Sequence, residues 1–160
     1  MYKRQTLFSG FYLPLFLILV SLIIRGVAFE YRSKHGDAKW RNRWDNAIVV
    51  ASFAPSLLWG VAFANIARGV PLERSSQGFI EYTGGFFNLL NPFALVGGLV
   101  TLTLFATHGA FFIALKTEGT VRDRANQLAG RLGLATALLA VVFLSSVSYT
   151  HLRAHETKAN

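Results

Sequence analysis

The 160-residue sequence predicts an all-α fold, a polytopic transmembrane bundle with four membrane-spanning helices. Three observations predict it. Hydrophobic residues make up 52% of the chain and charged residues only 15%, against about 25% charged in a soluble domain. The charge is bunched, so that four stretches of about 18 residues or more carry none of it. The 16 Lys and Arg, set against 8 Asp and Glu, gather mainly between those stretches. With 14 Phe, 5 Tyr and 3 Trp, the chain is not a disordered or nucleic-acid-binding arm, and it meets membrane lipids rather than nucleic acid. It has no cysteine and therefore no disulfide, thiol nucleophile or thiolate metal site. Four scattered histidines argue against a self-contained metal centre, and a redox cofactor would lie mostly on another subunit.

The first helix is expected over about residues 7–29. Leu7 to Ile24 is apolar, and extension through Phe29 is enough to cross a hydrocarbon core of about 30 Å. Lys3 and Arg4 before the run also fit a signal peptide, but the run is long for one and lacks a small-x-small cleavage site. The second helix is expected over about 47–67, with Pro55 near its centre. Ser52, Ser56, Gly60 and Ala64 recur every four residues there, a stripe of small residues on which another helix can approach closely. The third is expected over about 92–115, entered at Asn91 and Pro92 after the turn-rich stretch Tyr82 to Asn91. The fourth is expected over about 132–150. Basic residues crowd the first connection, Glu30 to Asn46, and the third, Lys116 to Arg131, which reads as a solvated loop. The positive-inside rule puts both on the cytoplasmic side.

Arg25 stands about a turn inside the boundary of the first helix. A guanidinium there snorkels to headgroups, pairs with an acid or lines a wet path such as a proton route. Trp40 and Trp44, one turn apart in the motif Lys39 to Asn46, suit anchoring at the headgroup level, with a quinone or subunit contact as the other reading. Asp45 is placed to cap the helix that follows. His108 lies in the third helix without a second histidine on a nearby turn, which favours a packed histidine over a haem ligand. His151 and His155, although four apart, are weak metal candidates in a polar tail. Pro55, the small-residue stripe and Arg25 also fit a transporter or channel-like bundle.

Gly10 to Tyr31 (GFYLPLFLILVSLIIRGVAFEY), WRNRWDNAI, SFAPSLLWGVAFANIARGVP, YTGGFFNLLNPFALVGGLV and THGAFFIALKTEG follow one another in an order that resembles subunit II of the cytochrome bd quinol oxidases. The resemblance implies a subunit of a respiratory terminal oxidase that takes electrons from quinol and reduces dioxygen to water. It implies that haems b and d belong to the partner, subunit I, and that this chain binds none alone, is inactive alone, and supports subunit I across a membrane interface. A structural quinone is a further possibility the family leaves open. Arg25 falls where the family carries an intramembrane arginine of the proton pathway, whose acidic partners lie on helices absent from this sequence. The resemblance therefore implies a fragment, residues 1–150 being a partial transmembrane domain of a multi-pass protein of the bacterial inner membrane. Residues 151–160 read as a disordered or artefactual tail, since the likeness is lost after Val147.

Overall fold

The computed structural model describes the backbone of residues 11–69, 72–74, 80–82 and 86–159, and the side chains of residues 11–69 and 87–149. The first apolar run forms α1, Tyr12–Arg32. Residues 7–10, where that helix is expected to begin, lie outside the described residues. The second forms α2, Ala38–Arg68. Two three-residue strands follow, β1 (Leu72–Arg74) and β2 (Ile80–Tyr82), antiparallel with Glu73 opposite Glu81. A single turn of helix, α3 (Phe86–Leu89), leads to α4, Pro92–Lys116, and then to α5, Gly119–Ala159. Helices α1, α2, α4 and α5 are each long and apolar enough to cross a membrane. They pack in series, α1 on α2, α2 on α4 and α4 on α5.

The packing is that of a bundle in an apolar solvent. Most buried positions are small, among them Ala28, Ala51, Ala64, Ala94, Gly97, Gly98, Ala110 and Ala129, while most Leu, Ile and Phe of the long helices point outward. Hydrocarbon outside removes the drive to bury large side chains, and close backbone approach supplies dispersion instead.

Two sequence expectations are corrected. Helix α2 begins nine residues before the apolar run, so Trp40, Trp44 and Asp45 lie inside it and Asp45 is not its cap. The cap is Asp37, extended at φ −72° and ψ 131°, whose side chain accepts the Lys39 amide at 3.1 Å. Likewise α5 begins at Gly119 rather than near residue 132, which shrinks the expected loop Lys116 to Arg131 to Thr117 and Glu118. Gly119 takes the turn at φ +65°, a conformation L side chains rarely adopt. In each case hydrophobicity stops at the edge of the apolar layer, but the helix stops only where a cap or glycine stops the backbone hydrogen bonds.

Candidate functional site

The turn joining α1 and α2 gathers aromatic and charged side chains. The Trp40 indole N–H donates to the Tyr31 carbonyl at 2.8 Å, joining the Lys34 amide at 3.2 Å on one of the last carbonyls of α1. Trp40 meets Trp44 edge to face at 5.7 Å between ring centres, and Trp44 lies 5.6 Å from the Tyr31 ring. His35 packs its ring edge on Trp40 at 4.8 Å, and the Lys34 ammonium sits 4.6 Å from the centre of Tyr31. Arg32 forms a two-pronged ion pair with Asp45, its second prong at 3.3 Å, and Lys34 reaches Glu30 at 3.8 Å. Lys39, Arg41 and Arg43 make no ion pair among the described residues. Both partners of Arg32–Asp45 are about half exposed. Asp45→Asn is accordingly expected to lower the thermal midpoint in mild detergent by no more than about 2–4 °C, because exposed pairs contribute about 1 kcal/mol at most.

The small-residue stripe of α2 faces α4. Ser52 and Ser56 turn their hydroxyls back to Ile48 and Ser52 carbonyls at 2.7 and 2.9 Å, which hides their polarity. Thr101 of α4 donates to the Ser56 carbonyl at 2.9 Å. Gly60 is covered by Thr101, Gly97 and Gly98, and Ala64 lies over Gly97. The same helices are tied at their other end by a pair that sequence reasoning missed. Asn65, 6% exposed, donates to the Val61 and Leu89 carbonyls at 2.8 and 2.7 Å and accepts from Asn91 at 2.9 Å. Asn91 in turn accepts the Ala94 amide at 2.9 Å and so caps α4. The available signal was an amide inside the apolar run AFANIA.

Arg25 is exposed on α1, its guanidinium 5.9 Å from the Phe29 ring, with no carboxylate paired to it among the described residues. The structure keeps it apart from the tryptophans, since Tyr31 is about 9 Å further along the helix. Three sets of contacts fix relative heights in the bundle. Tyr31 on Trp44 and Phe11 on Ala62 register α1 with α2. Thr101 on Ser56 and Gly97 on Ala64 register α4 with α2. Thr107 on Thr136, at 3.3 Å, and Phe143 on Gly97 register α5 with α4. Carried along at about 1.5 Å per residue, they bring Arg25, His108 and Arg131 to within about one helical turn of a common height. That height lies about one turn short of Asn46.

Haem is not a fit for the described residues. His108 points outward from α4 and His35 is packed on Trp40 in a turn, so no two imidazoles face one another across a pocket. Among the described residues no three metal-ligating side chains gather; the side chains of His151 and His155 lie outside them. A groove of about 220 Å³ between α1 and α2, at the end away from Trp40 and Trp44, is lined by Phe11, Pro14, Leu15, Ile18, Trp59, Ala62 and Ile66 and presents no polar surface. It suits a hydrocarbon chain and offers no donor to a polar headgroup.

Residues 3–154 match the model of the family described as cytochrome bd terminal oxidase subunit II. The chain is 43% identical over 135 residues to a probable cytochrome oxidase subunit 2 of Haemophilus influenzae, covering 84% of this chain and 35% of the relative. It is 43% identical over 129 residues to the cytochrome bd-I ubiquinol oxidase subunit 2 of Escherichia coli, 81% of this chain and 34% of that protein. With the cytochrome bd ubiquinol oxidase subunit 2 of Bacillus subtilis it shares 31% identity over 152 residues, 95% of this chain and 42% of that one. The chain thus spans about a third to two fifths of the length of the curated relatives it matches.

Proposed function

Because the chain belongs to the cytochrome bd terminal oxidase subunit II family, we propose that it works as an accessory subunit of a respiratory quinol:oxygen oxidoreductase. The observation that carries this reading is the match over residues 3–154, which takes in all four spanning helices. In this reading the haems b and d sit on subunit I and quinol is the substrate of the complex. The chain alone is inactive, and the complex lies in the bacterial inner membrane. The turns at 33–37 and 117–118, flanked by helix ends that carry Arg32, Lys39, Arg41, Arg43, Lys116, Arg122 and Arg124, face the cytoplasm by the positive-inside rule. There Trp40 and Trp44 hold the α1–α2 end at the headgroup level, while Ser52, Ser56, Gly60 and Ala64 hold α2 on α4. The groove at Phe11 and Trp59 would hold the isoprenoid tail of a structural quinone, which supplies no chemistry there.

Arg25 serves the proton pathway in this reading. An arginine does not give up its proton at physiological pH, so its contribution is a fixed positive charge facing carboxylates carried by helices outside this sequence. Such a charge lowers a neighbouring carboxylate's pKa by about 1–3 units, so its loss changes proton occupancy roughly tenfold or more. In the complete complex Arg25→Leu is expected to slow quinol oxidation and proton uptake together at unchanged haem content, and Arg25→Lys to restore part of the rate. Turnover of Arg25→Leu equal to the parent's would remove the role.

A further inference from the structure

The face of α2 that turns away from α1 changes character along its length. Lys39, Arg43, Asn46, Val50 and Phe53 recur at alternating spacings of four and three, the repeat of a single helical stripe, and all five are exposed. Lys39 and Arg43 stand one turn apart and make no ion pair among the described residues. Asp45, the one acid of the sequence from Ala38 to Phe53, points the other way, where Arg32 of α1 holds it with two prongs. Past Asn46 the stripe turns apolar, with Val50 66% and Phe53 53% exposed.

From this geometry we propose that the stripe binds one anionic phospholipid, with its phosphate between Lys39 and Arg43 and an acyl chain along Val50 and Phe53. The site rests on the reading above that Trp40 and Trp44 stand at the headgroup level, and not on the respiratory role. Depth fits the head and the tail separately. Trp40 and Trp44 each follow one of the two cations in sequence, so the cations share the depth of the indoles. Lys39 and Arg43 are about 6 Å apart along the axis, within the depth of about 5–7 Å of one headgroup layer. Val50 lies about 10 Å deeper than Arg43, among hydrocarbon.

Charge selects the kind of lipid. A free anion would answer the two cations and leave Val50 and Phe53 uncovered, whereas an amphiphile covers both halves of the stripe. A zwitterionic headgroup brings an ammonium of its own against Lys39 and Arg43, and a net negative one does not. Each basic residue near the surface favours anionic lipid by about fivefold, so the pair sets a ceiling of about 25-fold over zwitterionic lipid.

The test places a photo-crosslinking residue at position 50 of the chain, produced with its native partners and returned to vesicles of four parts phosphatidylcholine to one part phosphatidylglycerol. Mass spectrometry then reads which molecule is joined to position 50. The expected result is a crosslink to lipid in which the ratio of phosphatidylglycerol to phosphatidylcholine is raised several-fold over that of the vesicle, toward the ceiling given above. Lys39→Gln with Arg43→Gln should return the ratio to the vesicle's. Arg122→Gln with Arg124→Gln, an equal loss of exposed charge at the same end of the bundle, should leave it raised. A lipid crosslink in all three chains shows that α2 stands in the membrane in each, so misfolding is not mistaken for loss of the site. A parent ratio equal to the vesicle's overturns the proposal while leaving the depth of the tryptophans intact. An equal fall in the Arg122 and Arg124 variant overturns it too, as does displacement of the phosphatidylglycerol by millimolar inorganic phosphate, which would mark a site for free anions. A crosslink to polypeptide with no lipid overturns both the site and the depth on which it rests.

Discussion

Gly60→Leu is expected to remove the folded chain from the membrane, by a wider margin than any other single substitution in α2. A Cβ at residue 60 would stand 2.5 Å from the Gly97 carbonyl oxygen and 2.7 Å from the Gly98 Cα, and closer still to the Thr101 hydroxyl. The first two are backbone atoms and cannot rotate away. The helices would have to part, which also opens the Thr101 to Ser56 hydrogen bond of 2.9 Å and lifts Ala64 from Gly97. Overpacking of an interior costs about 1–3 kcal/mol where side chains can give, so Gly60→Ala should fall in that range and Gly60→Leu above it. In a membrane the loss is not recovered elsewhere, because association there depends on close packing rather than on exclusion of water. Gly130→Ala is the control, since residue 130 of α5 has open space around it and the added methyl should be neutral or stabilise the helix by about 0.5–1 kcal/mol. The amount of chain in membranes and its resistance to protease in mild detergent measure the difference. Equal amounts of Gly60→Leu and parent would mean that α2 and α4 do not pack through Gly60.

The long helices are legible in the sequence because each carries an uncharged run of spanning length, and a membrane makes that requirement strict. Their ends are less legible. The motif from Lys39 to Asn46 is charged, and charge reads as loop, yet no residue in it opposes a helix and the backbone continues through it to the cap at Asp37. The same holds for the stretch from Gly119 to Arg131. Gly36-Asp37 and Gly119 were the better stop signals in both places, because they act on the backbone rather than on solvation. Among candidate site residues, the spacing of Ser52, Ser56, Gly60 and Ala64 announced a close contact but not its partner. Gly97 and Gly98, which receive it, sit on another helix whose register no local pattern encodes. For the same reason the common height of Arg25, His108 and Arg131 emerges only when the pairings of three helix interfaces are combined.

Asn65→Leu is expected to be the second most damaging change, although it replaces a polar residue by one that suits the membrane. Asn65 is almost fully buried and uses its amide in both senses. Its N–H groups donate to the Val61 and Leu89 carbonyls, and its oxygen accepts from Asn91. Leucine would strand the Leu89 carbonyl and take from Asn91 the partner that orients it, leaving Asn91 only the weaker donation to the Asn88 carbonyl at 3.2 Å. A buried polar group without a partner costs about 1–3 kcal/mol, so two affected groups imply about 2–6 kcal/mol. The effect should spread to the cap of α4, because the Asn91 oxygen that accepts the Ala94 amide belongs to the same side chain. Asn65→Asp separates lost packing from lost hydrogen bonding. Its carboxyl keeps the shape of the amide and an acceptor for Asn91 but has no N–H to give the Val61 and Leu89 carbonyls. Thermal unfolding in mild detergent should therefore find both Asn65→Asp and Asn65→Leu below the parent. If Asn65→Leu unfolds at the parent's temperature, the pairing of Asn65 with Asn91 does not hold α2 to α4, and the glycine contact alone carries that interface.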